Sequence, residues 1–134
     1  MIARPVVERD VTVLACAISA GIHAALVPEH LEEGRAAAGS FAVSAVLLAA
    51  LAVALSYRLT PFLLLAAGAL ITGLIVSYAL AITTGIPVLH PEIESVEGLA
   101  LFTKAVEVAG LVAVADLLLS RRPDTIPHRE GASA

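Results

Sequence analysis

The chain has few charged residues, few aromatic residues and almost no cysteine. Of its 134 residues, 15% are charged and 4% are aromatic, with no tryptophan and one cysteine. A single cysteine excludes an internal disulfide framework and a cysteine-rich zinc module. A net charge of −4, from 8 Lys and Arg against 12 Asp and Glu, argues against a nucleic-acid partner. Soluble domains carry about a quarter of charged residues, so this chain is not typical of them.

The sequence also lacks the local signatures of common enzyme classes. It contains no glycine-rich phosphate loop, no Gly-x-Ser-x-Gly nucleophile turn and no His-Glu-x-x-His zinc motif. Cys16 stands alone in an apolar run, without the second cysteine that a membrane thiol oxidoreductase uses. These absences favour a non-enzymatic protein.

Hydrophobic residues, by contrast, make up 59% of the chain and are grouped in four long stretches. A helix that crosses the hydrocarbon core needs about 20 residues. The sequence therefore predicts an all-α, polytopic membrane protein, folded as an antiparallel bundle of four transmembrane helices in the lipid bilayer. A polar tail that contains two prolines is expected to be disordered. The predicted helices cover residues 11–27, 36–57, 61–84 and 96–120, between an N-terminal segment 1–10 and a tail 121–134.

The basic residues predict the orientation. Six of the eight lie before the first predicted helix, between the second and third, or after the fourth. The positive-inside rule then places both termini in the cytoplasm. The other two loops, which are acidic, are expected to be external. The six basic residues are Arg4, Arg9, Arg58, Arg121, Arg122 and Arg129.

Local signals predict how the helices begin and end. Pro61 suits the first turn of a helix and predicts a tight hairpin between the second and third helices. Pro28 should kink the first helix or restart it, because proline lacks the backbone N–H. Ser95 is a candidate N-cap for the fourth helix. A small-residue stripe on the third helix, of the kind that lets helices approach closely, comprises Ala69, Gly73 and Ser77.

The polar residues within the predicted spans are the candidate functional groups. Lys104 and Glu107 are three residues apart and can form an intramembrane ion pair. A charge near the bilayer centre costs about 2.5–3.5 kcal/mol, so Glu107 is expected to face the bundle interior. His23 should lie at a similar depth on the first helix, where it can meet Glu107. Both groups can equally be structural, since buried polar groups need hydrogen-bond partners.

Three of the four histidines fall on the predicted external side. His128 lies in the predicted cytoplasmic tail, so topology excludes it. Imidazole and carboxylate groups together form the ligand set of zinc, copper and iron, and imidazole also binds haem iron. The sequence thus offers a candidate site for a transition metal or haem. Its members are His23, His30, His90, Glu33 and Glu107.

The segment around these histidines carries a family resemblance. Ile22-His23, the string Pro-Glu-His-Leu-Glu-Glu at 28–33 and Thr-Gly-Ile-Pro at 84–87 resemble a largely uncharacterised group of small four-helix bacterial membrane proteins, frequent in actinobacteria. The resemblance implies a four-span fold in the plasma membrane and no particular activity. Lys104 has no counterpart in that pattern. The positions that the resemblance marks are His23, Glu29, His30 and Glu33.

Three functions remain open from the sequence. The chain can be a non-enzymatic accessory or structural subunit that contacts another membrane protein or further copies of itself. It can bind a metal or haem at its outer face. It can also conduct protons or transport a solute as an oligomer, with His23 and Glu107 in the path.

Overall fold

The computed structural model describes residues 4–87, 89 and 92–120. This part of the chain forms four helices, each long and apolar enough to cross a membrane. The all-α class and the number of helices are therefore as predicted. The predicted tail at 121–134 lies outside the described residues. The helices are α1 (Arg4–Glu33), α2 (Arg35–Tyr57), α3 (Pro61–Ala81) and α4 (Gly98–Leu119).

Helix α1 is much longer than the predicted stretch 11–27. It begins within the charged N-terminal segment and continues through Pro28 to Glu33, without a restart. Hydropathy marks only the apolar part of a helix, whereas its charged ends can remain helical. Proline removes one backbone hydrogen bond, which the rest of a 30-residue helix can tolerate. Gly34, with φ of +158°, then joins α1 to α2 as a single connecting residue.

The junction before α3 follows the sequence prediction. Pro61 occupies the first turn, and the Thr60 side chain accepts a hydrogen bond from the Leu63 N–H at 3.2 Å. Helix α3 ends at Ala81 rather than at residue 84, and a Thr83 hydroxyl donates to the Ala79 carbonyl at 2.6 Å. Such hydroxyl groups compete with continued helix for the last carbonyls.

The start of α4 differs from the sequence prediction. Its N-cap is Glu97 and not Ser95, and the Glu97 side chain makes no capping hydrogen bond. Helix α4 accordingly begins at Gly98, two residues later than predicted. Glu97 and Ser95 instead belong to the lining of a cavity that is described below.

The helices form a ring in chain order, with antiparallel neighbours. Helix α1 packs most closely on α2 and next on α4, while α3 contacts α4 and, more sparsely, α2. We call the end that holds Gly34 and the α3–α4 connection the acidic end, because Glu29, Glu32, Glu94 and Glu97 lie there. The opposite, basic end holds Arg9, whose guanidinium donates a hydrogen bond to the Ser56 carbonyl of α2.

The bundle interior is mainly polar toward the acidic end and mainly apolar toward the basic end, although Thr12 and Glu8 are buried there as well. Toward the acidic end, Ser19, His23, Thr103 and Glu107 are buried. Toward the basic end, apolar side chains fill the centre, and we call them the apolar plug. The plug consists of Cys16, Ala20, Leu48, Ala52, Leu55, Leu64, Ala67, Ile71, Val114 and Leu117.

Helices α1 and α4 approach each other most closely at Gly110. A Cβ atom at Gly110 would lie 2.6 Å from the Ala15 Cβ, so only glycine fits at this crossing. The predicted stripe on α3 does not pack on another helix of the same copy, because Ala69 and Gly73 are exposed and a Cβ at Gly73 would meet nothing within 4 Å. The close helix contact therefore lies on α4, one turn from Glu107.

Candidate functional site

A cavity of about 340 Å³ opens among the four helices at the acidic end. It is lined by residues of all four helices, among them Phe41 of α2 and Leu74 of α3. Leucine, isoleucine and aromatic side chains form much of its wall. Its ionisable lining groups are Glu29, Glu94 and Glu97, the histidines His23 and His30, and Lys104.

Glu107 is the centre of the polar network below this cavity. Its side chain is fully buried, and each carboxylate oxygen accepts a hydrogen bond from a different helix position. Ser19 on α1 donates to Oε1 at 2.7 Å. Lys104, one turn earlier on α4, donates to Oε2 at 2.6 Å. A buried carboxylate needs both charge compensation and hydrogen bonds, and Glu107 has both.

The predicted ion pair between Lys104 and Glu107 is therefore present. The Lys104 side chain keeps 17% of its surface exposed and lines the cavity, whereas that of Glu107 has none. The Lys104 ammonium also lies 3.4 Å from the Leu74 carbonyl oxygen and 5.5 Å from the centre of the Tyr78 ring. Lys104 thus links α4 to α3 while neutralising Glu107.

His23 does not bond Glu107 directly, and Ser19 stands between them. The His23 Nδ1 lies 2.8 Å from the Ser19 carbonyl oxygen and 3.3 Å from the Ser19 hydroxyl. A carbonyl only accepts, so Nδ1 carries the proton, and the Nε2 of the neutral ring is an acceptor. Within the described residues Nε2 makes no hydrogen bond, although His23 is 7% exposed and lines the cavity.

His30 repeats the same local arrangement two turns later. Its Nδ1 lies 2.8 Å from the Leu26 carbonyl oxygen, so this Nδ1 also carries a proton. Phe41 of α2 packs on both imidazoles, with ring centres 5.5 Å from His23 and 3.9 Å from His30. The two histidines thus occupy one wall of the cavity, because residues seven apart share a face of a continuous helix.

The metal site stays a prediction. His90 lies outside the described residues, and nothing is described of the Glu33 side chain. Among the described residues, no group of three or more His, Cys, Asp or Glu side chains is arranged to hold a metal ion. Glu107 is committed to Ser19 and Lys104, which leaves its carboxylate no oxygen without a hydrogen bond.

Two residues of the site were missed by the sequence interpretation. Ser19 reads as a minor interruption of an apolar stretch, yet it connects α1 to Glu107. Its position four residues before His23 was the available signal, because residues at that spacing share a helix face. Tyr78 reads as an interfacial aromatic residue, but it lines the cavity beside Lys104. Its hydroxyl is buried and has no hydrogen-bond partner within the described residues.

Comparisons with known proteins place no relative beside this chain. No protein-family model matches it, and neither a curated protein nor a solved structure matches it. The geometry of the cavity and of the Glu107 network therefore carries the functional argument.

Proposed function

We propose that the chain is a non-enzymatic integral membrane protein of a bacterial plasma membrane, an accessory subunit that binds a ligand or partner group in its cavity. It crosses the bilayer four times, with both termini in the cytoplasm and the acidic end outside. The observation that carries this proposal is a cavity with ionisable lining groups that lies above the apolar plug.

The distribution of polar and apolar side chains supports the proposal that the outer surface of the bundle faces lipid. A fully buried glutamate and several hydroxyl groups lie inside, while large apolar side chains lie outside. A water-soluble helix shows the reverse pattern, with charged residues on its outer face. Lipid instead favours apolar exteriors and requires that interior polar groups find partners within the protein. Outward-facing examples include Val43, Val46, Phe62, Leu65 and Val112, each more than half exposed.

The apolar plug supports binding rather than conduction. The hydrogen-bonded series that starts at His23 passes through Ser19 and ends at Glu107 and Lys104. Beyond it, the plug fills the bundle centre with apolar side chains. A proton relay needs a continuous series of polar groups, and in the described interior of one copy the plug interrupts this series between Glu107 and the buried Thr12 and Glu8. A cavity closed on one side suits a ligand that enters and leaves by the same route.

The proposed topology predicts selective labelling from outside the cell. In a Cys16→Ala background, an impermeant maleimide should label a Glu94→Cys variant in intact cells. It should label an Arg58→Cys variant only after the cells are opened. Both positions lie outside the helices, so each substitution should leave the fold intact.

Detergent-solubilised protein provides the control, since both cysteines should then react at similar rates. Labelling of Arg58→Cys rather than Glu94→Cys in intact cells would reverse the assigned orientation. Recovery of the chain in the soluble fraction would overturn the membrane assignment itself.

Metal or haem binding is the second candidate function, and the tautomer of His23 favours it. His23 directs Nδ1–H to the Ser19 carbonyl one turn earlier, which leaves Nε2 in the unprotonated form that ligates metals. His30, whose Nδ1 lies 2.8 Å from the Leu26 carbonyl oxygen, is proposed as the second ligand. His90 is proposed as the third ligand.

Protein purified without chelators should then contain stoichiometric metal or show the Soret band of haem. His23→Ala and His90→Ala should each remove it, because each deletes one proposed ligand. His128→Ala is the matched control and should retain it. Metal-free protein without a Soret band, or full retention by His23→Ala, would eliminate this candidate and leave the accessory function in place.

A further inference from the structure

We propose that the cavity binds a small organic ammonium ion, a primary amine with an apolar body, whose N–H groups donate to the Nε2 of His23. This inference rests on the proposed function, because it names the class of ligand for the same cavity. Three features of the cavity support it: the charge of the lining residues, the acceptor atom of His23 and the apolar side chains around both.

The charge of the cavity favours a cation. Lys104 is the one basic side chain among its lining residues, and Glu107 neutralises it from below at 2.6 Å. The carboxylates of Glu29 and Glu97 add negative charge to the lining. A concave site with apolar walls concentrates such a field and attracts ions of the opposite sign. An anion would be repelled by these carboxylates and would have to compete with Glu107 for Lys104.

The acceptor on the wall favours an ammonium group that has N–H donors. His23 is 7% exposed, and its Nδ1–H is committed to the Ser19 carbonyl oxygen. Its Nε2 is an acceptor without a hydrogen bond in the described part of the chain. This acceptor is accessible from the cavity, and a hydrogen bond from a charged donor is stronger than one from a neutral donor. A primary ammonium matches this atom, whereas a quaternary ammonium has no N–H to offer.

The remaining wall favours an apolar body on the amine. Leu26, Phe41, Leu74 and Leu99 line the cavity together with Tyr78. The aromatic faces of Phe41 and Tyr78 can also attract a cation directly. A volume of about 340 Å³ is at the small end of the range for ligand pockets. The ligand is therefore a compact molecule with one cationic end.

Three probes that share a phenyl-alkyl body but differ in charge measure the contribution of charge to binding separately from that of the apolar body. They are 2-phenylethylammonium, the neutral 2-phenylethanol and the anionic 3-phenylpropanoate. Calorimetric titration should use the full chain in nanodiscs of phosphatidylcholine, with protein-free nanodiscs as the blank for partitioning into lipid. The ammonium should bind about tenfold more tightly than the alcohol, since a charged donor forms a stronger hydrogen bond than a neutral donor. The propanoate should bind more weakly than both.

Two variants test the assigned contacts. His23→Leu should reduce the preference for the ammonium over the alcohol to the part that the carboxylates contribute, and measurable binding of the alcohol shows that the cavity persists. Glu97→Gln should weaken the ammonium by about twofold to fivefold, as expected for a solvent-exposed charge. Glu32→Gln is its matched control, because Glu32 is exposed at the same end but does not line the cavity.

Other outcomes overturn the inference. Equal affinities for the three probes would show an apolar cavity without recognition of charge. Tighter binding of the propanoate would make Lys104 the recognition group. If none of the probes binds while the maleimide labelling is as predicted, the ligand class is wrong and the proposed topology stands. If the labelling also fails, the proposed function is wrong as well.

Discussion

A Glu107→Leu variant should lose about 3–5 kcal/mol of unfolding free energy, the usual cost of breaking a buried ion pair by removing one partner. The substitution deletes the carboxylate that neutralises Lys104 and the acceptor of the Ser19 hydroxyl. The Lys104 ammonium would then retain only the Leu74 carbonyl and the Tyr78 ring within the described residues. Reversible unfolding in detergent micelles, followed by circular dichroism, measures the change.

The double variant Lys104→Met, Glu107→Leu tests whether the loss of stability comes from leaving Lys104 unpaired or from losing the ion pair itself. A buried pair replaced on both sides by apolar groups is often neutral or stabilising, so the double variant should recover most of the loss. Glu107→Gln keeps the shape of the side chain and an acceptor for Ser19, so its unfolding free energy should lie between those of Glu107→Leu and the double variant. An additive double variant, with the losses of the two single variants summed, would show that Lys104 and Glu107 do not stabilise each other.

A Gly110→Ala variant should be destabilised by about 1–3 kcal/mol, the range for an overpacked interior. The new Cβ would lie 2.6 Å from the Ala15 Cβ and 3.5 Å from the Ile71 Cδ1. Helices α1 and α4 would have to separate at their closest point. Because Gly110 is one turn from Glu107, this separation should also lengthen the hydrogen bond from Ser19 to Glu107. Thermal unfolding in the same detergent measures the loss.

The second substitution Ala15→Gly should rescue Gly110→Ala, because it removes the atom that clashes. Gly73→Ala is the matched control, since it adds the same methyl group to a helical glycine whose Cβ position meets nothing within 4 Å. That variant should not be destabilised. A Gly110→Ala variant as stable as Gly73→Ala would show that the two helices are farther apart than the structure places them.

The number of helices was readable from the sequence because hydrophobicity is a property of composition. Any stretch of about 20 apolar residues satisfies the length of a membrane span, whatever it packs against. The ends were less readable for the same reason. Helix α1 continues through charged residues at one end and through Pro28 at the other, and hydropathy registers neither. The end of α3 was also missed, because it depends on local competition for carbonyl groups by Thr83 and Thr84.

The ion pair between Lys104 and Glu107 could be predicted from the sequence, whereas the hydrogen bond that joins α1 to α4 could not. Lys104 and Glu107 are neighbours on one helix, and a spacing of three residues alone brings them together. Ser19 reaches Glu107 only through the crossing of α1 and α4, which depends on Gly110 and Ala15. The small-residue pattern on α3 suggested close packing there. Alanine and glycine are frequent throughout this chain, so such a pattern has little specificity. Contacts between distant positions need the packed structure.

The hydrogen bond between Ser19 and Glu107 has a consequence for biosynthesis. The two residues are 88 positions apart, so at about 5–20 residues per second the ribosome completes Glu107 roughly 4–18 s after Ser19. During this interval Ser19 is without its carboxylate partner. In the proposed topology, α4 is the last helix to enter the bilayer, and it carries Glu107 and Lys104 with it as a pair of opposite charges. The polar network of the bundle therefore forms only after all four helices have been synthesised.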